Sequence, residues 1–166
     1  MKEIKAQSAI KNYLVYHNDI YPFSLIVGKM SDANQINQEY KGVDGNDISP
    51  HFHSDATTYT VYKKGESGSF ICVLFNITPT VKLIAHESLH ATYIVMNLLC
   101  HVELNDHTDE CYAYLIGWFA DKIDEYFKFL EKNRDDKTKR NDEERTGTAP
   151  LSEVIKNQQE KLKSYV

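Results

Sequence analysis

Apolar residues recur along this chain with two different spacings, which predict both strands and helices. Residues 57–63 and 69–76 are rich in β-branched and aromatic residues, and the turn 65–68 between them has glycine at both ends, which predicts an antiparallel hairpin. Because the second run is apolar throughout, we expect both of its faces to be covered. The remaining pattern predicts an amphipathic helix over 4–17, a strand over 21–29, a short helix from Ser31 to Tyr40 that ends at Gly42, and a loop over 43–56.

A long helix is predicted directly after the hairpin. Residues 80–100 contain neither glycine nor proline, and Thr78 with Pro79 is typical of a helix start, with a hydroxyl for the N-cap and proline in the first turn. Apolar residues fall on most sides of this helix. We therefore expect it to be buried.

His86, Glu87 and His90 form an H-E-x-x-H motif within this helix. A spacing of four places both imidazoles on one helical face, where a single zinc ion can take a nitrogen from each. Glu87 lies about 100° further round the helix, so its carboxylate can reach a metal-activated water without being a ligand. Buried polar groups need partners, and we favour a zinc site over histidines that are only hydrogen-bonded in the core.

A third ligand is expected at the start of the next helix, which the pattern predicts from Asp109 onward. One face of that helix carries a carboxylate followed by small residues: Glu110, Ala113, Gly117 and Ala120. Small residues let two helices approach closely, so we expect this stripe to lie against the 79–100 helix and to carry Glu110 to the metal. Asp109 is the alternative ligand.

The other histidines offer weaker candidates for ligands. His101 and His107 lie between the two helices, where either would close the site as a fourth protein ligand. His51 and His53 form an H-x-H pair in a segment that we expect to be an exposed loop.

The motif and the downstream glutamate resemble small gluzincin-type zinc metallopeptidases, including the ImmA/IrrE-like group and compact phage-encoded or bacterial relatives. The resemblance covers about residues 69–131. A metzincin is excluded by the sequence itself, because that class would have glycine and histidine where this chain has Tyr93 and Met96. It implies an α+β, zincin-like fold, in which a small twisted β-sheet packs against an active-site helix and a second, ligand-bearing helix. The matching positions are His86, Glu87, His90, Glu110 and Ala113.

The resemblance implies a zinc-dependent metallopeptidase, with zinc held by His86, His90 and Glu110. Glu87 would act as general base on a metal-activated water that hydrolyses a peptide bond. The resemblance further implies that a peptide or protein substrate adds to the edge of a strand near the metal, although the pattern leaves open which strand forms that edge.

Two features of the second helix remain open. The best-studied members have an acidic residue four positions after the glutamate ligand, where this chain has Tyr114, so Asp106 and Asp109 are candidates to orient the histidines. An oxyanion formed during hydrolysis also needs a hydrogen-bond donor. Tyr93, Tyr112 and Tyr114 are within helical reach, and we rank Tyr114 first as a catalytic residue.

Composition is that of an ordinary globular enzyme. The chain has 166 residues, of which 42% are hydrophobic, and its net charge of -5 argues against a nucleic-acid partner. It has no run of 18 apolar residues and no signal-peptide core near Met1, so we expect no membrane segment and a cytoplasmic location. Cys72, Cys100 and Cys111 lie in apolar segments and are read as reduced core residues.

The organisation predicted is a metallopeptidase domain over 1–131, a charged linker or helix extension over 132–148, and an amphipathic helix over 149–166 that docks on its own domain or binds a partner. A non-catalytic, metal-stabilised regulatory or protein-binding domain is the alternative function. Peptide deformylase is disfavoured because its cysteine ligand lies in a glycine-rich motif, whereas Cys72 lies in an apolar strand.

Overall fold

The fold is α+β and is built on one mixed sheet of five strands. A computed structural model describes residues 11–51 and 53–146. The strands are β1 (Leu14–His17), β2 (Phe23–Lys29), β3 (Tyr40–Gly42), β4 (Ala56–Lys63) and β5 (Ser69–Phe75). The α-helices of the described residues are α1 (Ala33–Glu39), α2 (Val81–Tyr93) and α3 (Asp109–Thr146). The strand order is β1-β2-β5-β4-β3, and of its four pairings that of β2 with β5 is parallel. The predicted α+β class is therefore confirmed.

The predicted hairpin is confirmed as the β4–β5 pair, in which Tyr62 lies opposite Ser69 and Ala56 opposite Phe75. Its turn needs glycine, because Gly65 and Gly68 have φ values of 78° and 139° that other residues rarely adopt. Strand β5 is covered on both faces, as its continuous apolar sequence predicts.

Each face of the sheet carries its own packed layer. Phe70, Cys72 and Leu74 of β5 pack with α1 on one face. The alternate residues of β5 point to the other face, where the Phe75 ring meets that of Phe127 at 5.2 Å and the Phe23 ring of β2 stacks on that of Phe119 at 5.3 Å. The buried residues of α3 are Tyr112, Leu115, Phe119, Ile123 and Tyr126.

The predicted helix over 4–17 is wrong for all of its described residues, since 11–13 are irregular and 14–17 form strand β1. Val15 lies opposite Ile26 of β2, and Nδ1 of His17 is 2.8 Å from Oγ of Ser24. Antiparallel pairing with β2, which follows after the five residues 18–22, outweighs the helical spacing of the local sequence because it satisfies backbone groups of both strands. Residues 4–10 lie outside the described part of the chain.

The short helix over 31–40 is confirmed in outline, although its ends differ from the prediction. A 3-10 turn at Met30–Asp32 precedes α1, so Ser31 is not the N-cap of the α-helix. The helix ends at Glu39, before Gly42, because Tyr40–Gly42 pairs with the end of β4 as strand β3.

The helix that carries the H-E-x-x-H motif begins later than predicted. Its N-cap is Thr80, whose Oγ1 accepts a hydrogen bond of 3.3 Å from the backbone nitrogen of Leu83, so Thr78 and Pro79 precede the helix. After Tyr93 the helix widens into a π-helical segment, Ile94–Leu99, that completes the predicted span.

The chain divides into two compact units, Met1–Phe127 and Lys128–Val166. Within the second unit, the charged segment continues as helix to Thr146. The helix predicted over 149–166 and its proposed partner surface lie outside the described residues. Within residues 11–51 and 53–146, no helix has the length and apolarity that crossing a membrane requires.

Candidate functional site

Helix α2 exposes both histidines and buries the glutamate between them. His86 and His90 are exposed, whereas only 4% of the surface of Glu87 is accessible to solvent. The prediction that this helix is buried nearly all round is therefore wrong, since Leu89 and Tyr93 are also exposed. The physical reason is that α2 contacts the sheet through one face, whose buried residues are Glu87, Ser88, Ala91 and Thr92.

The two imidazoles converge on one point outside the helix. Nε2 of His86 is 3.1 Å from Nε2 of His90, and the ring planes are inclined at 82°. Two nitrogen ligands of one tetrahedral zinc ion, each about 2.0–2.1 Å from the metal, would be about 3.3 Å apart. The observed 3.1 Å is close to that separation, and it is also the distance of a hydrogen bond between the two rings.

A short hydrogen bond from a residue of the sheet holds the Glu87 carboxylate in place. The Thr58 hydroxyl donates to Oε2 of Glu87 at 2.6 Å. Thr58 lies on β4 opposite Val73, with its side chain on the sheet face that α2 covers. A carboxylate removed from water needs such a donor, so the bond stabilises Glu87 in its buried position.

The first part of strand β4, beside this carboxylate, extends beyond the short strand β3 and forms an open edge of the sheet. The last three residues of β4, 61–63, pair with β3, but among the described residues no strand pairs with the outer side of 56–60. An unpaired strand edge presents backbone donors and acceptors to an extended peptide. Thr58 lies at the middle of this open segment.

The predicted third ligand, Glu110, does not lie close enough to the histidine pair to complete a metal site. Glu110 is exposed in the first turn of α3, where its backbone nitrogen donates to Oδ1 of Asp109 at 2.9 Å. In the part of the chain that the structure describes, no three His, Cys, Asp or Glu side chains lie close enough to hold a metal ion together. The histidine pair is therefore the part of the predicted ligand set that the fold assembles.

The small-residue stripe does not pack against α2, which corrects the predicted helix contact. Ala113 and Gly117 are exposed, and a Cβ placed on Gly117 would meet nothing within 4 Å. The buried face of α3 is instead its aromatic face, which includes Phe119 and Tyr126, because burying large rings removes far more apolar surface from water.

Tyr114, the predicted oxyanion donor, lies on α3 with 44% of its surface exposed, and its ring centroid is 6.5 Å from that of Tyr21. Burial, with a contribution from the neighbouring Cys111, raises the pKa of Tyr21 to about 12. Tyr112 is buried and has a structural role, since its hydroxyl donates to the Val102 carbonyl at 2.8 Å and accepts from the Asn97 amide at 2.8 Å.

The other histidines considered as ligands are all exposed: His51, His53, His101 and His107. His101 adopts a φ of 55°, which marks a sharp turn after the π-helical segment. Comparison with protein-family models, curated proteins and solved structures gives no match.

Thr58 is the site residue that the sequence did not reveal. It is separated from Glu87 by 29 positions, and it is one of three threonines in β4. Alternation along the strand places Thr58 and Thr60 on the same face. Only the packing of α2 across that face distinguishes Thr58 from its neighbours.

Proposed function

We propose that this protein is a zinc-dependent metallopeptidase of the gluzincin type with a zincin-like arrangement of sheet and helices, acting in the cytoplasm. The observation that carries the proposal is the 3.1 Å approach of the two Nε2 atoms on the helix that also holds Glu87. A chance histidine pair does not require a buried carboxylate one residue away. The combination is typical of hydrolytic zinc sites.

His86, His90 and Glu110 are the proposed ligands, with Asp109 as the alternative to Glu110. When bound, zinc supplies Lewis-acid polarisation of a peptide carbonyl and increases the acidity of water. Because Glu110 is exposed and follows the irregular connection 100–108, completion of the ligand set requires the start of α3 to adjust on zinc binding. Tyr114 remains the proposed oxyanion donor on the same turn.

Glu87 is the proposed general base, and the open segment of β4 is the proposed peptide-binding edge. A peptide that pairs with residues 56–60 would lie beside the strand that anchors the Glu87 carboxylate. From that position, Glu87 would accept a proton from water during attack and transfer it to the leaving amine. The proposed substrate is therefore an extended segment of a peptide or protein.

The test of the ligand set is the zinc content of the purified protein after metal removal and reconstitution, measured by elemental mass spectrometry. We expect about one zinc per chain in the wild type and in Asp109→Ala, and a loss of zinc in Glu110→Ala. Loss in Asp109→Ala alone would reassign the ligand. Absence of zinc from the wild type would overturn the proposal.

The test of activity uses the zinc-loaded protein and a pooled library of quenched fluorescent peptides. Cleavage that a chelator abolishes and zinc restores would support the peptidase. Stoichiometric zinc without cleavage of any library peptide would favour the non-catalytic, metal-stabilised binding domain, because a fully coordinated structural zinc has no open position for substrate.

A further inference from the structure

We infer that Thr58 is a positioning residue that fixes the Glu87 carboxylate relative to the peptide-binding edge of β4. The inference rests on the proposed function, but it concerns a contact that exists in the protein itself. In this contact the Thr58 hydroxyl donates a hydrogen bond of 2.6 Å to Oε2 of Glu87.

The carboxylate has little freedom to choose another partner. Glu87 is 4% exposed, so water does not solvate it as it would a surface side chain. An unpaired carboxylate in that position would be costly, and a hydrogen bond to an ionised acceptor is stronger than one between neutral groups. The Thr58 hydroxyl therefore determines where Oε2 lies, and the other carboxylate oxygen stays outside this contact.

Because Thr58 lies on β4, its hydrogen bond to Glu87 links the carboxylate to the strand that would bind the peptide. Thr58 is paired with Val73 of β5 on its inner side, so its backbone is fixed in the centre of the sheet register. Its outer side belongs to the open segment 56–60. A peptide added at that edge would take its register from the same backbone that carries the Thr58 hydroxyl. Strand β4 would thus position both the general base and the substrate.

A purely structural role for Thr58 would be to satisfy a buried acceptor, and the two roles predict different results. If Thr58 positions the general base, loss of its hydroxyl should lower kcat and leave KM nearly unchanged. A misplaced base reduces stabilisation of the transition state much more than it reduces the affinity for the peptide. We expect Thr58→Val to lower kcat by about 10- to 100-fold. Thr58→Ser, which keeps the hydroxyl, should restore most of this loss.

Tyr62→Phe is the matched control, because it also removes a hydroxyl from the same strand and the same face, opposite Ser69, but outside the open segment 56–60. Thr58→Ala is the second hydroxyl-free variant, for use if the valine cannot be accommodated. The thermal midpoint of each variant shows whether it is folded. Turnover is measured with the library peptide that the wild type cleaves fastest.

A second readout is independent of zinc and of activity. In metal-free protein labelled with ¹³C at the glutamate carboxyl carbon, the Glu87 resonance is the one that disappears in Glu87→Gln. We expect Thr58→Val to shift this resonance more than any other, and we expect Thr58→Ser and Tyr62→Phe to leave it in place. An unshifted Glu87 resonance in both Thr58→Val and Thr58→Ala would overturn the inference.

The two readouts separate the inference from the proposed function. A shifted resonance together with unchanged kcat would also overturn the positioning role, while the contact itself would stand. If the zinc-loaded wild type cleaves no peptide, the peptidase proposal fails. In that case the resonance alone decides whether Thr58 places the carboxylate.

Discussion

The Nε2 atoms of His86 and His90 face each other at 3.1 Å on the exposed side of α2. At this distance the Nε2–H of one neutral imidazole can donate a hydrogen bond to the bare Nε2 of the other. A metal ion bound to both nitrogens would take the place of that proton. We therefore expect this pair to act as a unit in metal binding.

Loss of either histidine should release the metal. His90→Ala removes one of the two converging nitrogens, and we expect its zinc content after reconstitution to fall from about one per chain to near zero. His107→Ala is the control, because His107 is exposed in the connection before α3. Full zinc occupancy in His90→Ala would refute the ligand assignment, and a parallel loss in His107→Ala would identify His107 as a further ligand.

Glu87→Gln should separate metal binding from hydrolysis. The amide oxygen can still accept from Thr58, so we expect normal zinc content and a thermal midpoint near that of the wild type. Peptide cleavage should fall by about 10²- to 10⁴-fold, because an amide cannot accept the proton from water. The control is Glu131→Gln, at an exposed position of α3. Equal turnover in Glu87→Gln and the wild type would exclude Glu87 as the base.

Gly117→Ala distinguishes the observed packing of α3 from the one that the small-residue stripe suggested. The added Cβ meets nothing within 4 Å, so alanine should raise the free energy of unfolding by about 0.5–1 kcal/mol through its helix propensity. Urea unfolding measures this difference. A loss of stability would mean that another helix lies against Gly117.

Burial of Tyr16 should make the free energy of unfolding depend on pH in the alkaline range. Its hydroxyl is buried without a partner among the described residues, and burial raises its pKa from 10.0 to about 12. Between these values the tyrosine ionises in the unfolded chain but not in the folded protein. The stability that Tyr16 contributes is thus complete below pH 10 and is lost as the pH rises towards 12.

The measurement is urea unfolding of the wild type and Tyr16→Phe at pH 8, 10 and 11. We expect Tyr16→Phe to be at least as stable as the wild type at pH 8, since it removes an unpaired buried hydroxyl and no hydrogen bond, and to lose less stability between pH 10 and 11. Tyr62→Phe, at an exposed position of β4, is the control. Parallel pH curves for the wild type and Tyr16→Phe would contradict the assignment.

Local sequence predicted the parts of the fold that local interactions determine. The hairpin ends within one residue of its predicted bounds, because Gly65 and Gly68 permit its turn and each strand has a continuous β-prone run. The sequence pattern favours a helix over strand β1 because Ile10, Tyr13, Leu14 and His17 would fall on one helical face, even though the partner strand β2 follows after only five residues. The exposed stripe around Gly117 was assigned to a helix contact because small residues suit both close packing and open solvent.

The candidate site divides in the same way. The convergence of His86 and His90 follows from their spacing on one helix, and it was predictable. The exposure of that face and the Thr58 contact depend on which side of α2 meets the sheet. No periodicity distinguished the sides, because apolar residues occur all round the helix and its buried face includes the polar residues Glu87, Ser88 and Thr92.

The π-helical segment Ile94–Leu99 affects how the side chains that follow the histidines are oriented around the helix axis. A π turn holds about one residue more than an α turn, and here the backbone nitrogen of Cys100 donates to the Val95 carbonyl, five residues back, at 2.9 Å. Removal of one residue from this segment would let the helix continue in α geometry. Because the π turn already accommodates about one extra residue, such a deletion would reorient the following side chains far less than the roughly 100° expected in a regular α-helix.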